Sequence, residues 1–152
     1  MDDLLFRKAM GKFATGVTVI TTEVEGDVHG MTANAFMSVS LDPKLILISV
    51  GNKAKMCEYI KKSQSFAVNI LGDDQRDLSM VFAGQVKEKK EIAFDQFEET
   101  PVIKDSLVSL ACRVYHTYEA GDHVLFVGEV KNLHVKDGDP LTFFEGKYKQ
   151  IS

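Results

Sequence analysis

Apolar side chains near the N-terminus recur at Phe6, Met10 and Phe13, with Leu5 and Ala9 beside them, at the three- and four-residue spacing of one helix face. The spacing predicts a short amphipathic helix over 5–13. It starts near Asp2 or Asp3, packs its apolar face on the segments after it, and is ended by Gly16. β-Branched residues then crowd GVTVITTEV, a strand pattern that breaks at Glu25-Gly26-Asp27 and resumes in VHGMTANAF. LILISV (45–50) is a continuous apolar run between Pro43 and Gly51, which predicts a strand buried on both faces. KAKMCEYIKK places Met56, Tyr59 and Ile60 on one side of a second short helix, and FAVNIL (66–71) reads as another buried strand. Asp73 or Asp74 is placed to cap a helix through Leu78, Val81 and Phe82 that stops at Gly84.

Residues 85–105 mix the charged QVKEKKE with Phe94, Phe97 and Pro101, and read as a surface loop pinned by its aromatics. Two long strands come next, VSLACRVYHTY (108–118) and HVLFVGEVKNLHV (123–135), joined by Glu119-Ala120-Gly121-Asp122. In the second, Val124, Phe126, Gly128 and Val130 share one face and Leu125, Val127 and Glu129 the other, so it belongs inside a sheet or at a subunit contact. The sum is about six or seven strands with short helices and hairpin-like links. A doubly wound fold needs a helix after nearly every strand. The fold class expected is therefore mainly β with short helices, an antiparallel, Greek-key-like barrel that is closed or nearly closed.

Composition narrows this picture more than it changes it. With 152 residues, three prolines and no Gly/Ser linker, a single domain over 1–152 is expected. A net charge of -4 lacks the basic bias of a nucleic-acid binder, so no nucleic-acid partner is expected. The opening MDDLLFRKAM carries acids where a signal peptide carries a basic flank, and no apolar run approaches the ~20 residues of a membrane span. Cys57 and Cys112 are too far apart for a zinc knuckle or a redox dithiol. These features predict a cytoplasmic protein with reduced thiols and no membrane partner.

Candidate chemistry is sparse. The histidines His29, His116, His123 and His134 have no metal-ligand spacing, so no metal site is expected, and no nucleophile motif, phosphate loop or GxGxxG is present. Two segments stand out. Gly30, Thr32, Ala33, Asn34, Ala35, Ser38 and Ser40 are small or hydroxyl-bearing, and such residues let backbone approach a flat ligand; an ordinary exposed strand fits them as well. Asn52, Lys53, Ala54 and Lys55 open the second helix, where free N–H groups and two ammonium groups make a phosphate seat; a solvated lysine face is the alternative.

Four stretches, FRKAMGKFATGVTVITT, GMTANAFMSVSLDPKLILISV, AGDHVLFVGEV and PLTFFEGKY, run in this order from Phe6 to Tyr148 and strongly resemble the short-chain flavin reductase family. The resemblance is closest to the reductase components of bacterial two-component phenol and 4-hydroxyphenylacetate hydroxylases. It implies an FMN-binding split barrel, usually a homodimer, that passes a hydride from NAD(P)H to FAD or FMN and supplies reduced flavin to a separate oxygenase component. By the same match, Thr32, Ala33, Asn34 and Ala35 line the flavin ring and ribityl chain, and Ser38, Val39 and Ser40 border the isoalloxazine. Asn52, Lys53 and Lys55 hold the phosphate, and Phe82, Ala83 and Gly84 close over the ligand. His123, in Gly-Asp-His, is the implied catalytic residue on the nicotinamide side, with His29, Lys147 and Tyr148 bordering that pocket. Such relatives favour FAD, and NADH is expected over NADPH because no Arg-rich cluster is evident to grip a 2′-phosphate. A non-catalytic flavin-binding electron carrier on the same barrel is the competing expectation.

Overall fold

The structure is a computed structural model that describes residues 1–84 and 92–151. Along the chain the elements are α1 (Asp3–Gly11), β1 (Thr15–Gly16), β2 (Thr18–Val24), β3 (Asp27–Ala33), β4 (Phe36–Ser40), β5 (Leu45–Gly51), α2 (Lys55–Ser63) and β6 (Ser65–Ile70). A 3₁₀ turn, Asp73–Gln75, leads into α3 (Arg76–Phe82). After it come β7 (Phe94–Phe97), β8 (Thr100–Ile103), β9 (Val108–Ala120), β10 (His123–Val135), β11 (Thr142–Phe144) and β12 (Lys147–Lys149). No described helix is long and apolar enough to cross a membrane.

Seven strands form one antiparallel sheet in the order β3-β2-β6-β9-β10-β5-β4. Its two edge strands, β3 and β4, are consecutive in the chain. The turn Asn34–Ala35 that joins them therefore brings the two edges of the sheet to one corner, and no ladder between β3 and β4 closes it among the described residues. The expected antiparallel β architecture is present, and the barrel stays open at this corner. β5 pairs with the first half of β10, from Gly51 against His123 to Leu45 against Glu129. The short N-terminal strand β1 joins a smaller sheet in the order β1-β11-β12, and β7 and β8 form a hairpin.

β2 divides the interior. Ile20 faces a cluster with Ile48, Phe66, Val68 and Phe126, which α2 plugs with Met56 and Ile60. Val19 faces the other way, into a cluster with Leu71, Ile103 and Leu141 that α3 covers with Leu78 and Phe82. A strand covered on both sides is buried at every position, and β2 is so from Thr18 to Thr22. β5 is not. Ile46, Ile48 and Val50 are buried while Leu45, Leu47 and Ser49 are half-exposed, because this strand has a packed core on one face only. Gly128 on β10 marks a close approach inside the first cluster: a Cβ there would stand 2.7 Å from the Phe66 ring.

Three further expectations are corrected. α1 forms with Asp2 as its N-cap, the Asp2 carboxylate accepting from the Leu4 N–H at 2.8 Å, but it ends at Gly11 rather than at Gly16 and buries nothing. Phe6, Met10 and Phe13 are 53%, 56% and 79% exposed, so the face that sequence periodicity assigns to the interior has no partner among the described residues. The 3₁₀ turn before α3 is stapled by Gln75, whose Oε1 accepts from the Gly72 N–H at 3.0 Å, instead of by Asp73 or Asp74. Finally, the segment expected as a surface loop contains the β7–β8 hairpin, and Thr100–Ile103 is fully buried. Its charged part, 85–91, lies outside the described residues.

Candidate functional site

Two cavities meet at the open corner of the barrel. The larger, about 680 Å³, has mostly apolar walls from Phe13–Thr18, Asn34–Met37, Leu47, Ser49 and Ile70. The smaller, about 170 Å³, is lined by Val17, Thr32, Ala33, Asn34, Ser79, Ala83, Phe143 and Tyr148. Asn34 belongs to both. The larger volume falls in the range of small-molecule and cofactor sites.

β3 sorts its side chains by the two-residue period of a strand. Gly30 and Thr32 meet α3: a Cβ on Gly30 would lie 2.5 Å from the Phe82 ring, and Thr32 Oγ1 donates to the Ser79 carbonyl at 2.6 Å. The small residue at Gly30 thus serves helix packing rather than a ligand. His29 stands beside α2 instead, its ring centroid 5.6 Å from that of Tyr59. Burial, together with the nearby Lys55 ammonium, pushes the His29 pKa down, against the pull of Asp27.

Ala35 leads from the corner to the second candidate segment. Its carbonyl accepts from the Ser49 N–H on β5 at 3.2 Å, and Asn52 lies three residues on, about 10 Å farther along an extended strand. There α2 begins with Ala54 as N-cap and no side-chain cap; the Cys57 N–H bonds the Ala54 carbonyl at 3.1 Å and Met56 is buried, so the N–H of exposed Lys55 is the first-turn donor left to an external anion. Two of the donors expected to be free are engaged: Asn52 N–H bonds the Asp122 carbonyl at 2.9 Å and Ala54 N–H bonds the Gly51 carbonyl at 3.0 Å. Lys55 is also diverted, its ammonium 3.9 Å from Asp27 and 5.0 Å from the Tyr59 ring centroid. Lys53 is exposed and makes no ion pair among the described residues.

His123 is paired in register with Gly51, so it stands next to the Asn52 turn. Its Nδ1 lies 2.8 Å from Asp122 Oδ1, and this hydrogen bond holds the Asp122 carboxyl below the usual carboxylate range. A carboxylate only accepts, so the pair fixes the proton on Nδ1 and turns Nε2 into the free nitrogen of the neutral ring.

The structure therefore gathers Thr32, Ala33, Asn34, Ala83 and Tyr148 at the small cavity, with Asn34 and Ala35 on the larger one. His29, Lys147 and His123 do not line the cavity that holds Tyr148. Ser38, Val39 and Ser40 lie farther along the open edge on β4, outside both linings, and Asn52 and Lys53 sit at the α2 entrance. Phe82 covers Gly30 with its ring 6.1 Å from Phe94, and Gly84 is exposed beyond it. Sequence reading missed Ser79, Arg76 and Thr15. Ser79 is buried and bonds Tyr148 Oη at 2.7 Å, and Arg76 stacks its guanidinium 5.0 Å from the Tyr148 ring centroid. A serine three residues before Phe82, on the sheet-facing side of α3, is the signal that was available for Ser79. Thr15 Oγ1 is buried without a hydrogen-bond partner among the described residues, on the wall of the larger cavity. No cluster of His, Cys, Asp and Glu able to hold a metal occurs among the described residues.

Comparison with known proteins gives one consistent result. A family described as flavin reductase like domain matches residues 10–152. The chain is 45% identical over 151 residues to a Rhodococcus NADH-dependent flavin reductase, covering 97% of this chain and 86% of that protein. It is 35% identical to the reductase component of a 4-hydroxyphenylacetate 3-monooxygenase from Thermus thermophilus, over 96% of this chain and 95% of that one. Among solved structures, the flavin reductase PheA2 superposes with a TM-score of 0.98 at 59% identity, covering 100% of this chain and 99% of that chain.

Proposed function

The chain belongs to the flavin reductase family, and from that premise we propose that it uses NADH to reduce FAD or FMN and supplies the reduced flavin to the separate oxygenase of a two-component aromatic, phenol-type monooxygenase. The observation that carries this reading is the meeting of two cavities at Asn34, with the uncapped start of α2 on the same edge of the sheet. A flavin fits the larger cavity in three respects. Its walls are mostly apolar, as a flat ring needs, the orphan hydroxyl of Thr15 lacks a partner there, and an anion seat lies about 10 Å along β5. The bound flavin supplies the electronics of hydride transfer, which accounts for the lack of a nucleophile–base pair in this chain.

The residues of the chain supply orientation. Asn34 and Ala35 present backbone at the corner, and Lys53 with the first turn of α2 offers positive charge to the phosphate. Asp122, whose carbonyl accepts from the Asn52 N–H, is the opposing charge at that end. Tyr148 and Ala83 border the small cavity, the proposed entry for the nicotinamide. His123 stands apart from Tyr148 in one chain, which supports a site completed by a second copy. Bare apolar residues on α1, together with exposed Tyr115, Tyr118, Leu133 and Val135 on β9 and β10, offer a surface for that homodimer. Two buried free cysteines suit a reducing, cytoplasmic setting.

The test is NADH consumption by the purified protein with excess FAD or FMN. Sustained oxidation is expected; a yellow protein that leaves NADH unchanged would favour the electron carrier instead. His123→Ala is expected to lower turnover or raise the NADH KM about tenfold while flavin still binds. Unchanged kinetics in that variant would remove His123 from the reaction.

A further inference from the structure

We propose that Ser79 is a positioning residue for the nicotinamide side of the site: it fixes the phenol of Tyr148 at the small cavity, and through it sets the KM for NADH. The inference rests on the flavin reductase reading of the chain. Tyr148 sits on β12, whose ladder to β11 is only three residue pairs long, so strand pairing alone holds it loosely. Its ring is nevertheless restrained from three directions. The Arg76 guanidinium lies over it at 5.0 Å, Phe143 meets it edge-on at 5.3 Å, and Ser79 Oγ is hydrogen-bonded to its hydroxyl at 2.7 Å.

Of these three contacts, Ser79 alone is fully buried, and its place is itself fixed. The carbonyl of the same residue accepts from Thr32 Oγ1 at 2.6 Å, which ties this turn of α3 to β3. Ser79 therefore joins β3, which carries Thr32, Ala33 and then the Asn34 corner, to the terminal hairpin that carries Tyr148. All five of these residues line one cavity. A phenol has one O–H to donate and lone pairs to accept with. Engaging it with a buried partner limits it to one orientation, and preorganisation of this kind lowers the cost of ordering the site when the ligand arrives. A serine that served the fold alone would have no reason to discriminate between the two ligands of the enzyme.

The experiment compares Ser79→Ala, Tyr148→Phe and the double variant, each checked by thermal melting. NADH kinetics at saturating flavin are read beside flavin affinity from fluorescence quenching. Each single change is expected to raise the KM for NADH about 3- to 10-fold, with kcat within about twofold and the flavin Kd unchanged. The double variant is expected to lose no more than either single, because both delete one bond. Additive losses, an equal rise in flavin Kd, or an unchanged KM would overturn the assignment. Tyr148→Phe deletes the same bond from a half-buried side chain and keeps the reading available if Ser79→Ala melts. A wild-type chain that fails to oxidise NADH would instead overturn the function on which this inference rests.

Discussion

Asn69 and Thr15 are both polar residues set against the same barrel, and they are treated in opposite ways. Asn69 is fully buried on β6 and every group of its amide is used: Nδ2 donates to the Val19 carbonyl at 2.9 Å and to Thr21 Oγ1 at 3.1 Å, while Oδ1 accepts from Ile103 N–H and Ser109 Oγ, both at 2.9 Å. One side chain thereby fastens β2, β6, β8 and β9. Thr15, on the cavity wall behind the bare helix α1, has a buried hydroxyl with no partner. A buried polar atom left alone costs about 1–3 kcal/mol, which a native fold seldom tolerates in a finished region. The contrast separates a half whose buried polar groups are paired within the chain from a half where a buried hydroxyl and an apolar helix face lack partners among the described residues.

The strongest way to break this division is Asn69→Ala. It takes the partner from the Ile103 N–H and the Ser109 hydroxyl and one contact each from the Val19 carbonyl and Thr21 Oγ1, which still donates to Pro101, while also opening a small void, so the folded state should lose about 3–5 kcal/mol, measured by urea unfolding. A loss below about 1 kcal/mol would mean that water replaces the amide and that the hub is not the fastening it resembles.

The complementary change is on the bare side. Replacing Phe6 and Phe13 by serine removes exposed apolar area that touches no core, so the stability of the isolated chain should change by no more than about 0.5 kcal/mol. Self-association, followed by sedimentation at falling concentration, should weaken at least about tenfold. If the wild-type chain sediments as a monomer throughout, α1 covers nothing and the division drawn from Thr15 fails on that side.

The same division governs what could be read from sequence. Strands such as 18–24, 66–71 and 123–135 were legible because alternation and β-branching report burial within one chain, and the seven-stranded sheet is built from them. The periodicity of α1 was equally legible, yet it shows only that a face is apolar and cannot name what covers it. The β7–β8 hairpin was missed because it comes after a charged run and contains Pro101, although Thr100–Ile103 is wholly buried. At the site, the corner residues Thr32–Ala35 were found by their small size and by family resemblance. Ser79 and Arg76 were not, since their roles depend on a hydroxyl and a ring brought from the other end of the chain. The start of α2 and the family resemblance both assign Lys55 to a phosphate, and only the fold shows that Asp27 and the Tyr59 ring stand beside its ammonium.

His29 stands between the two regimes and provides the finest test of them. It is half-buried against Tyr59, and desolvation, aided by Lys55, pushes its pKa below the ordinary 6.5. The unfolded chain therefore binds the proton more readily, so stability must rise with pH across this range. The contribution is fully present above about pH 6.5 and is lost as pH falls through the lower value of the folded state. His29→Gln removes that titration. Between about pH 7.5 and pH 5.5 the melting temperature of the variant should fall less than that of the wild type, by about 1–3 °C. Parallel curves would mean that water already reaches this ring, and would move the β3–α2 contact from the finished half of the molecule to the open one.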